Sequence, residues 1–107
     1  MTYRFYLLLF IIFLSSCAPR KSQVDLADIK NELNKKITHG KKLFNKKKYA
    51  RAKDDFDYII LNDVGSELGV EARYFQAESL FKLKQYTEAI SSYNRFLDYS
   101  NDIQKTI

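Results

Sequence analysis

The segment Gly40-x-x-Leu43-Phe44-x-x-x-x-Tyr49-x-x-Ala52-x-x-x-Phe56 recurs 37 residues later as Ala77-x-x-Leu80-Phe81-x-x-x-x-Tyr86-x-x-Ala89-x-x-x-Tyr93. Sliding residues 33–60 onto 70–97 keeps every core-type position in its size class. Apolar residues spaced three and four apart share one face of a helix, so each copy predicts two amphipathic helices. The short polar breaks at 46–48 and 84–85 make each pair antiparallel. The sequence therefore predicts an all-α fold of two helical hairpins.

The repeat also predicts where each helix begins and ends. Leu26 and Ile29 extend the first apolar stripe backwards, and Ser22 with Asp25 can form a capping box, which starts the first helix near Val24. The predicted helices cover residues 24–46, 49–61, 68–83 and 86–99, within two repeats at about 33–61 and 70–98 of a domain at 24–100.

The repeated pattern resembles the tetratricopeptide repeat, whose usual period is about 34 residues. The three extra residues of the 37-residue period fit into the connector 62–69, while the proline common after the second helix is missing from both copies. The resemblance implies an α-solenoid in which the first helix of each hairpin lines a concave groove. By repeat register, the candidate groove residues for a peptide or partner are Asn34, Ile37, Lys41, Asn45, Glu71, Tyr74, Glu78 and Lys82.

The first residues of the chain read as a targeting segment. Arg4 precedes an apolar run of ten residues, 5–14, which is half of the roughly 20 needed to span a bilayer. A run of this length is typical of a signal peptide, here residues 1–16. A signal anchor with an inert Cys17 is the alternative.

The end of this segment resembles a bacterial lipobox, formed by Leu14, Ser15, Ser16 and Cys17. The resemblance implies cleavage before Cys17, which then carries diacylglycerol and a further acyl chain such as palmitate. Residues 17–23 form the lipidated tether. Ala18, the residue after the Cys, resembles the sorting signal of a lipoprotein on the periplasmic face of the outer membrane.

Catalytic and metal chemistry have little support in this sequence. The chain has one His and one Cys, so it cannot build a Cys/His zinc site, and it has no Gly-rich phosphate loop. Asp54, Asp55 and Asp57 point to different sides of a helix, which predicts a solvated face. We expect a protein that is not an enzyme and has no cofactor and no metal.

Charge is divided unevenly along the chain. Residues 20–53 carry a net charge of +9, whereas residues 54–107 carry −5. The basic run 41–53 fits a solvated helix corner, a contact with anionic lipid headgroups or an acidic partner; nucleic acid is not expected as a partner.

Lipobox, short tether and lengthened repeats together resemble the N-terminal part of the BamD (YfiO) family of outer-membrane assembly lipoproteins. The stretch Tyr86-x-x-Ala89-Ile90-x-x-Tyr93-x-x-Phe96-Leu97, followed by Tyr99, resembles a stretch of that family that a tyrosine-rich turn follows. The resemblance implies a lipid-anchored scaffold that binds the barrel-assembly channel protein and unfolded barrel substrates. The alternative is a tetratricopeptide lipoprotein of another envelope system, in cell-wall or division coordination.

The last residues of the sequence repeat the beginning of the connector between the two hairpins. Asn101-Asp102-Ile103 echoes the connector Asn62-Asp63-Val64, so residues 101–107 are expected to begin a missing third repeat or to form a tail. An uncovered last helix leaves its apolar face exposed, here Tyr93, Phe96, Leu97 and Tyr99. Truncation of a longer protein, completion by a partner or self-association through the terminal helix would each account for that face.

Overall fold

A computed structural model of the chain describes residues 25–63 and 66–106 and contains four α-helices. They are α1 Leu26–Asn45, α2 Tyr49–Asn62, α3 Glu67–Lys82 and α4 Tyr86–Thr106. Each helix packs against its neighbours in sequence, α1 also contacts α3, and no strand occurs in the described ranges. The predicted all-α stack of two hairpins is confirmed. The predicted signal peptide 1–16, Cys17 and the tether to residue 23 lie outside the described residues.

The two hairpin turns have the same backbone structure. Lys47 and Lys84 both have φ of 62°, the left-handed conformation that usually favours glycine. In the first turn the amide of Lys48 donates to the carbonyl of Leu43, and in the second the amide of Gln85 donates to that of Leu80. These six-residue closures end both first helices in the same manner. The 37-residue repeat of the sequence therefore extends to the main chain.

The first and third helices begin at short polar caps. The carboxylate of Asp25 accepts a hydrogen bond from the amide of Ala27 at 3.3 Å, and α1 begins at Leu26, two residues after the predicted start. Ser22 of the predicted capping box lies outside the described residues. The hydroxyl of Ser66 accepts from the amide of Gly69 at 3.4 Å, and α3 begins at the next residue, Glu67. Each cap satisfies an amide that the first helical turn leaves unbonded.

The fourth helix is longer than predicted, and the expected end at residue 99 is wrong. Helix α4 continues to Thr106, through the segment 101–103 that echoes the first connector. The echo does not break the helix because the first connector continues into Gly65-Ser66, whereas residues 104–106 contain no Gly or Pro. Ile103 is half-buried and extends the helix face that carries Phe96 and Tyr99. That residues 101–107 begin a third repeat stays a prediction.

The core joins the first hairpin to α3. Its buried members are Leu33, Ile37, Leu43, Ala52, Phe56, Ile59 and Ala72. Small residues allow close helix approach, as the repeat pattern predicts: a Cβ on Gly40 would lie 2.8 Å from a ring carbon of Phe56. The rings of Phe56 and Phe75 stack with centroids 5.4 Å apart, which ties α2 to α3.

Gly40→Leu is expected to destabilise the fold by about 1–3 kcal/mol, because the added side chain overpacks the contact with Phe56. This loss outweighs the gain of about 1 kcal/mol in helix propensity that comes from replacing a glycine within a helix. Urea unfolding followed by far-UV circular dichroism measures the change. Thr38→Leu, at an exposed position of the same helix, serves as the control and should change stability by less than about 0.5 kcal/mol.

Candidate functional site

A cavity of about 700 Å³ opens between the N-terminal halves of α1 and α3. This volume lies within the range of about 300–1,000 Å³ that is typical of small-ligand pockets. Its residues come from α1, from the last residue of α2, from the connector and from α3: Leu26, Ile29, Lys30, Leu33, Asn34, Asn62, Asp63, Ser66, Glu67, Leu68 and Glu71. We call this cavity the α1–α3 groove.

The α1–α3 groove has apolar residues between walls of opposite charge. Ile29, Leu33 and Leu68 are at least half-buried. Lys30 is contributed by α1, whereas Glu67 is contributed by the first turn of α3. The apolar residues of this lining can take up an apolar side chain of a ligand. Its polar residues can form hydrogen bonds with the backbone that carries that side chain.

Of the predicted groove residues, Asn34 and Glu71 line this groove, and the ammonium of Lys41 forms an ion pair with the carboxylate of Glu71 beside it. The Lys41 ammonium also lies 5.3 Å from the ring centroid of Phe75. Lys41 therefore joins α1 to α3 instead of standing free in the groove.

Tyr74 and Glu78 form a second group that faces α4. Tyr74 is 39% exposed and packs against Phe96, with ring centroids 5.5 Å apart. The carboxylate of Glu78 accepts a hydrogen bond from the hydroxyl of Tyr93. These two candidates are separated from the cavity that Asn34 and Glu71 line.

The remaining candidates do not reach the groove. Ile37 is buried in the core with Leu33 and Phe56, so its assignment to the groove is corrected. Ile37 shares the buried stripe of α1 with Leu33, one turn earlier, but unlike Leu33 it is not among the residues that line the cavity. Asn45 and Lys82 are exposed at the C-terminal ends of α1 and α3, outside the residues that line the cavity.

Sequence reasoning missed the contribution of the connector. Asn62, Asp63 and Ser66 line the α1–α3 groove, and the Ser66 hydroxyl donates a hydrogen bond to the Asp63 carboxylate. The signal that could have found them is the period of 37 residues, because its three extra residues fall in this connector.

The acidic residues of α2 do not form the predicted solvated face. Asp55 is buried, with His39 Nδ1 at 2.5 Å from one carboxylate oxygen and Lys36 Nζ at 3.6 Å from the other. Asp57 is half-buried and accepts a hydrogen bond from the Gln76 amide at 2.6 Å. Both carboxylates therefore tie α2 to a neighbouring helix, while Asp54 is exposed as expected. Among the described residues, no group of His, Cys, Asp or Glu could hold a metal ion.

The basic run divides into paired and exposed residues. Lys41 pairs with Glu71, and Lys53 Nζ lies 2.6 Å from an Asp57 oxygen. The residues 46–48 and Arg51 are exposed at the first hairpin turn. The solvated-corner interpretation fits the exposed residues, whereas the Lys41 pair joins α1 to α3 and the Lys53 pair lies within α2.

Tyr93 makes the stability of the fold sensitive to alkaline pH. Burial, and then the hydrogen bond to Glu78, raises the pKa of the Tyr93 hydroxyl well above its ordinary value of about 10. A raised folded-state pKa gives stability that is complete below about pH 10 and is lost as the pH rises further. Between about pH 9 and 11, the free energy of unfolding of Tyr93→Phe should fall by about 1 kcal/mol less than that of the wild type, as measured by urea unfolding. An equal pH dependence in both proteins would contradict this assignment.

Comparison with known proteins shows a similarity over most of the chain. The chain is 36% identical over 78 residues to the outer membrane protein assembly factor BamD of Rickettsia prowazekii (strain Madrid E). No helix of the described ranges is both long enough and apolar enough to cross a bilayer.

The similarity covers the two proteins unequally. It covers 73% of this chain and 31% of BamD, so the chain spans less than a third of the length of that curated relative. No protein-family model matches the chain, and no solved structure matches it. Over most of its own length, the chain is similar to one part of an outer-membrane protein assembly factor.

Proposed function

We propose that this chain is a lipid-anchored scaffold of the bacterial envelope that takes part in the assembly of outer-membrane β-barrel proteins. The similarity to BamD over 78 residues carries the proposal. The stack of helical hairpins supports it, because such arrays present extended binding surfaces. The proposed role is binding and positioning, not catalysis.

The proposed anchor is Cys17. Residues 1–16 act as a signal peptide, the lipobox Leu14-Ser15-Ser16 directs cleavage, and Cys17 carries diacylglycerol and an acyl chain. More than one chain gives stable membrane attachment. The tether to residue 23 then holds the helical domain at the periplasmic face of the outer membrane.

The proposed binding surface is the α1–α3 groove. An extended segment of an unfolded barrel substrate can place an apolar side chain against Ile29, Leu33 and Leu68. Its backbone groups can bond to Asn34 and Glu71 at the edges, since a bound strand needs partners for its amides and carbonyls. The barrel-assembly channel protein is the proposed resident partner of the scaffold.

Site-specific photocrosslinking in intact cells tests this proposal. A photoreactive residue at Glu67, in the groove, should crosslink to unfolded barrel proteins, and affinity capture of the full chain should recover the channel protein. The control position is Arg51, which is exposed outside the groove. Equal crosslinking at both positions would contradict the groove assignment. Recovery of peptidoglycan or division factors alone would contradict the role in barrel assembly.

A further inference from the structure

A further cavity, of about 450 Å³, opens between the two hairpin turns. Residues of the first turn, of the start of α2 and of the second turn line it: Lys47, Lys48, Tyr49, Ala50, Arg51 and Leu83. We call it the turn cavity. Three of these residues are cations and none is an anion. Within the described ranges, none of the three cations forms an ion pair, in contrast to Lys41 and Lys53.

Both turns keep a lysine where the backbone favours glycine. Lys47 and Lys84 have the same φ of 62°, at which a Cβ crowds the backbone and glycine does not. A lysine at this position costs stability relative to glycine, and the cost occurs twice. Such a cost at two equivalent positions points to a use of the positive charge outside the fold.

Helix α4 leads away from the turn cavity. It begins at Tyr86 and runs back along α3, so that Phe96 packs on Tyr74 and the Tyr99 ring lies 4.2 Å from the Arg73 guanidinium carbon. These contacts correct the expectation that Phe96 and Tyr99 belong to an exposed face. The turn cavity lies between two consecutive hairpins and is separate from the last turns of α4.

Charge is separated between the two ends of the helical stack. The end that carries the turns, residues 46–51 and 82–88, has six basic residues and one acidic residue. The opposite end, residues 25–28, 62–63, 66–67 and 98–106, has six acidic residues and one basic residue. The α1–α3 groove opens at this acidic end. An anionic surface therefore attracts the turns and repels the end that carries the groove.

We propose that the turn cavity binds the phosphate of an anionic phospholipid in the membrane that holds the chain. The proposal rests on the lipid anchor of the proposed function. Lys47, Lys48 and Arg51 can neutralise the phosphate, and Tyr49 and Leu83 present apolar surface to the glycerol and the first methylene groups. The helical domain then stands on its turns, with the α1–α3 groove directed away from the membrane and open to substrates.

The spread of the charge favours a membrane over an acidic segment of a protein. Lys46, Lys82 and Lys84 are also exposed at the turn end, around the residues that line the cavity. A membrane surface offers anionic headgroups to all of these cations together, and each cation near such a surface adds about 1 kcal/mol of attraction.

The tether is long enough for this orientation. Nine Cα-to-Cα steps separate Cys17 from Leu26, so this segment can span at most about 30 Å. Helix α1 has 20 residues and is about 30 Å long. A chain anchored at Cys17 can therefore place the far end of α1, and both turns with it, on the membrane surface.

Tryptophan fluorescence of the full chain in lipid vesicles tests the proposal, because the chain contains no Trp. Ala50→Trp places a reporter in the turn cavity, and Leu61→Trp places a matched reporter at the other end of α2, where Leu61 is 80% exposed. In vesicles of brominated phosphatidylglycerol and phosphatidylcholine, the bromine atoms should quench the Ala50→Trp reporter and leave the Leu61→Trp reporter unchanged. In brominated phosphatidylcholine alone, neither reporter should be quenched.

Variants of the turns separate lipid binding from folding. Lys47→Gly with Lys84→Gly, added to the Ala50→Trp chain, should raise the urea midpoint of unfolding, because glycine adopts this φ more readily. The ratio of docked to undocked chains, measured by the quenching, should nevertheless fall about fivefold for each lysine removed. The control is Lys30→Gln with Lys35→Gln, which removes two exposed lysines of α1 outside the turns and should leave the ratio nearly unchanged.

Three results would overturn the proposal. The first is quenching of the Ala50→Trp reporter that phosphatidylglycerol does not increase. The second is equal quenching of the Leu61→Trp reporter. The third is saturable binding of an oligoglutamate peptide that phosphatidylglycerol does not displace, because the cavity would then hold an acidic protein segment. Flotation with neutral phosphatidylcholine vesicles reports the lipid anchor alone. A chain that does not float contradicts the proposed anchor, whereas a chain that floats without the phosphatidylglycerol-dependent quenching contradicts only this orientation.

Discussion

Phe56→Ala is expected to lower the free energy of unfolding by about 3–5 kcal/mol, because it removes a fully buried aromatic ring and leaves a cavity. The Phe56 ring contacts both neighbours of α2: it faces Gly40 on α1 and stacks on Phe75 of α3 at a ring-plane angle of 22°. The loss approaches the entire stability of many small domains, which is about 5–15 kcal/mol. Urea unfolding of the full chain, followed by far-UV circular dichroism, measures it.

The matched control is Phe81→Ala. Phe81 has the repeat register of Phe44 but is half-exposed, so its truncation should cost less than about 1 kcal/mol. If the two alanine variants were equally destabilised, burial under α3 would not be the source of the stability that Phe56 provides.

Cys17→Ala is expected to abolish lipid attachment and leave a precursor that keeps residues 1–16. The proposed modification needs the Cys17 sulfur, and Cys17 is the only Cys in the chain. In metabolic labelling with palmitate, any label attached to a thiol of this chain is therefore attached to Cys17. Loss of acyl chains removes about 0.8 kcal/mol of membrane affinity per buried methylene.

Intact mass and label incorporation should change together in this variant. Ser15→Ala keeps a small residue before the cleavage site and should be processed and labelled as the wild type is. Palmitate incorporation into the Cys17→Ala protein, or an unlabelled wild type of full length, would contradict the assignment of the lipobox.

The hairpins could be predicted because their determinants are local. Residues such as Leu33, Ile37 and Leu43 repeat at helical spacing, and the polar breaks at 46–48 and 84–85 fall where the chain turns. The small residues Gly40 and Ala52 are also local signals, because close helix approach excludes larger side chains. Such features need no knowledge of the remaining chain.

The details that sequence reasoning missed depend on neighbours distant in sequence. Asp55 is buried because His39 and Lys36 of another helix supply its partners. Tyr99 packs inward because Arg73 of α3 lies beneath it. An apolar stripe predicts that a helix is covered, but it does not indicate which edge of the stripe faces which neighbour.

The division of the groove candidates has the same origin. The repeat register places Asn34, Ile37 and Lys41 on successive turns of α1, yet they end in the groove, the core and an ion pair, respectively. The approach of α3 decides among these environments. Register therefore identifies the helix that lines a groove, but not each side chain that reaches it.

The succession of contacts along this array also bears on how the chain acquires its structure. Because α2, α3 and α4 each pack on the helix before them, most helix contacts within the described ranges join neighbours in sequence, and their contact order is low. Chains of this kind fold rapidly, since each new contact closes a short loop. The hairpins can therefore form one after another from the N-terminal end, each helix using the surface that its predecessor has just completed.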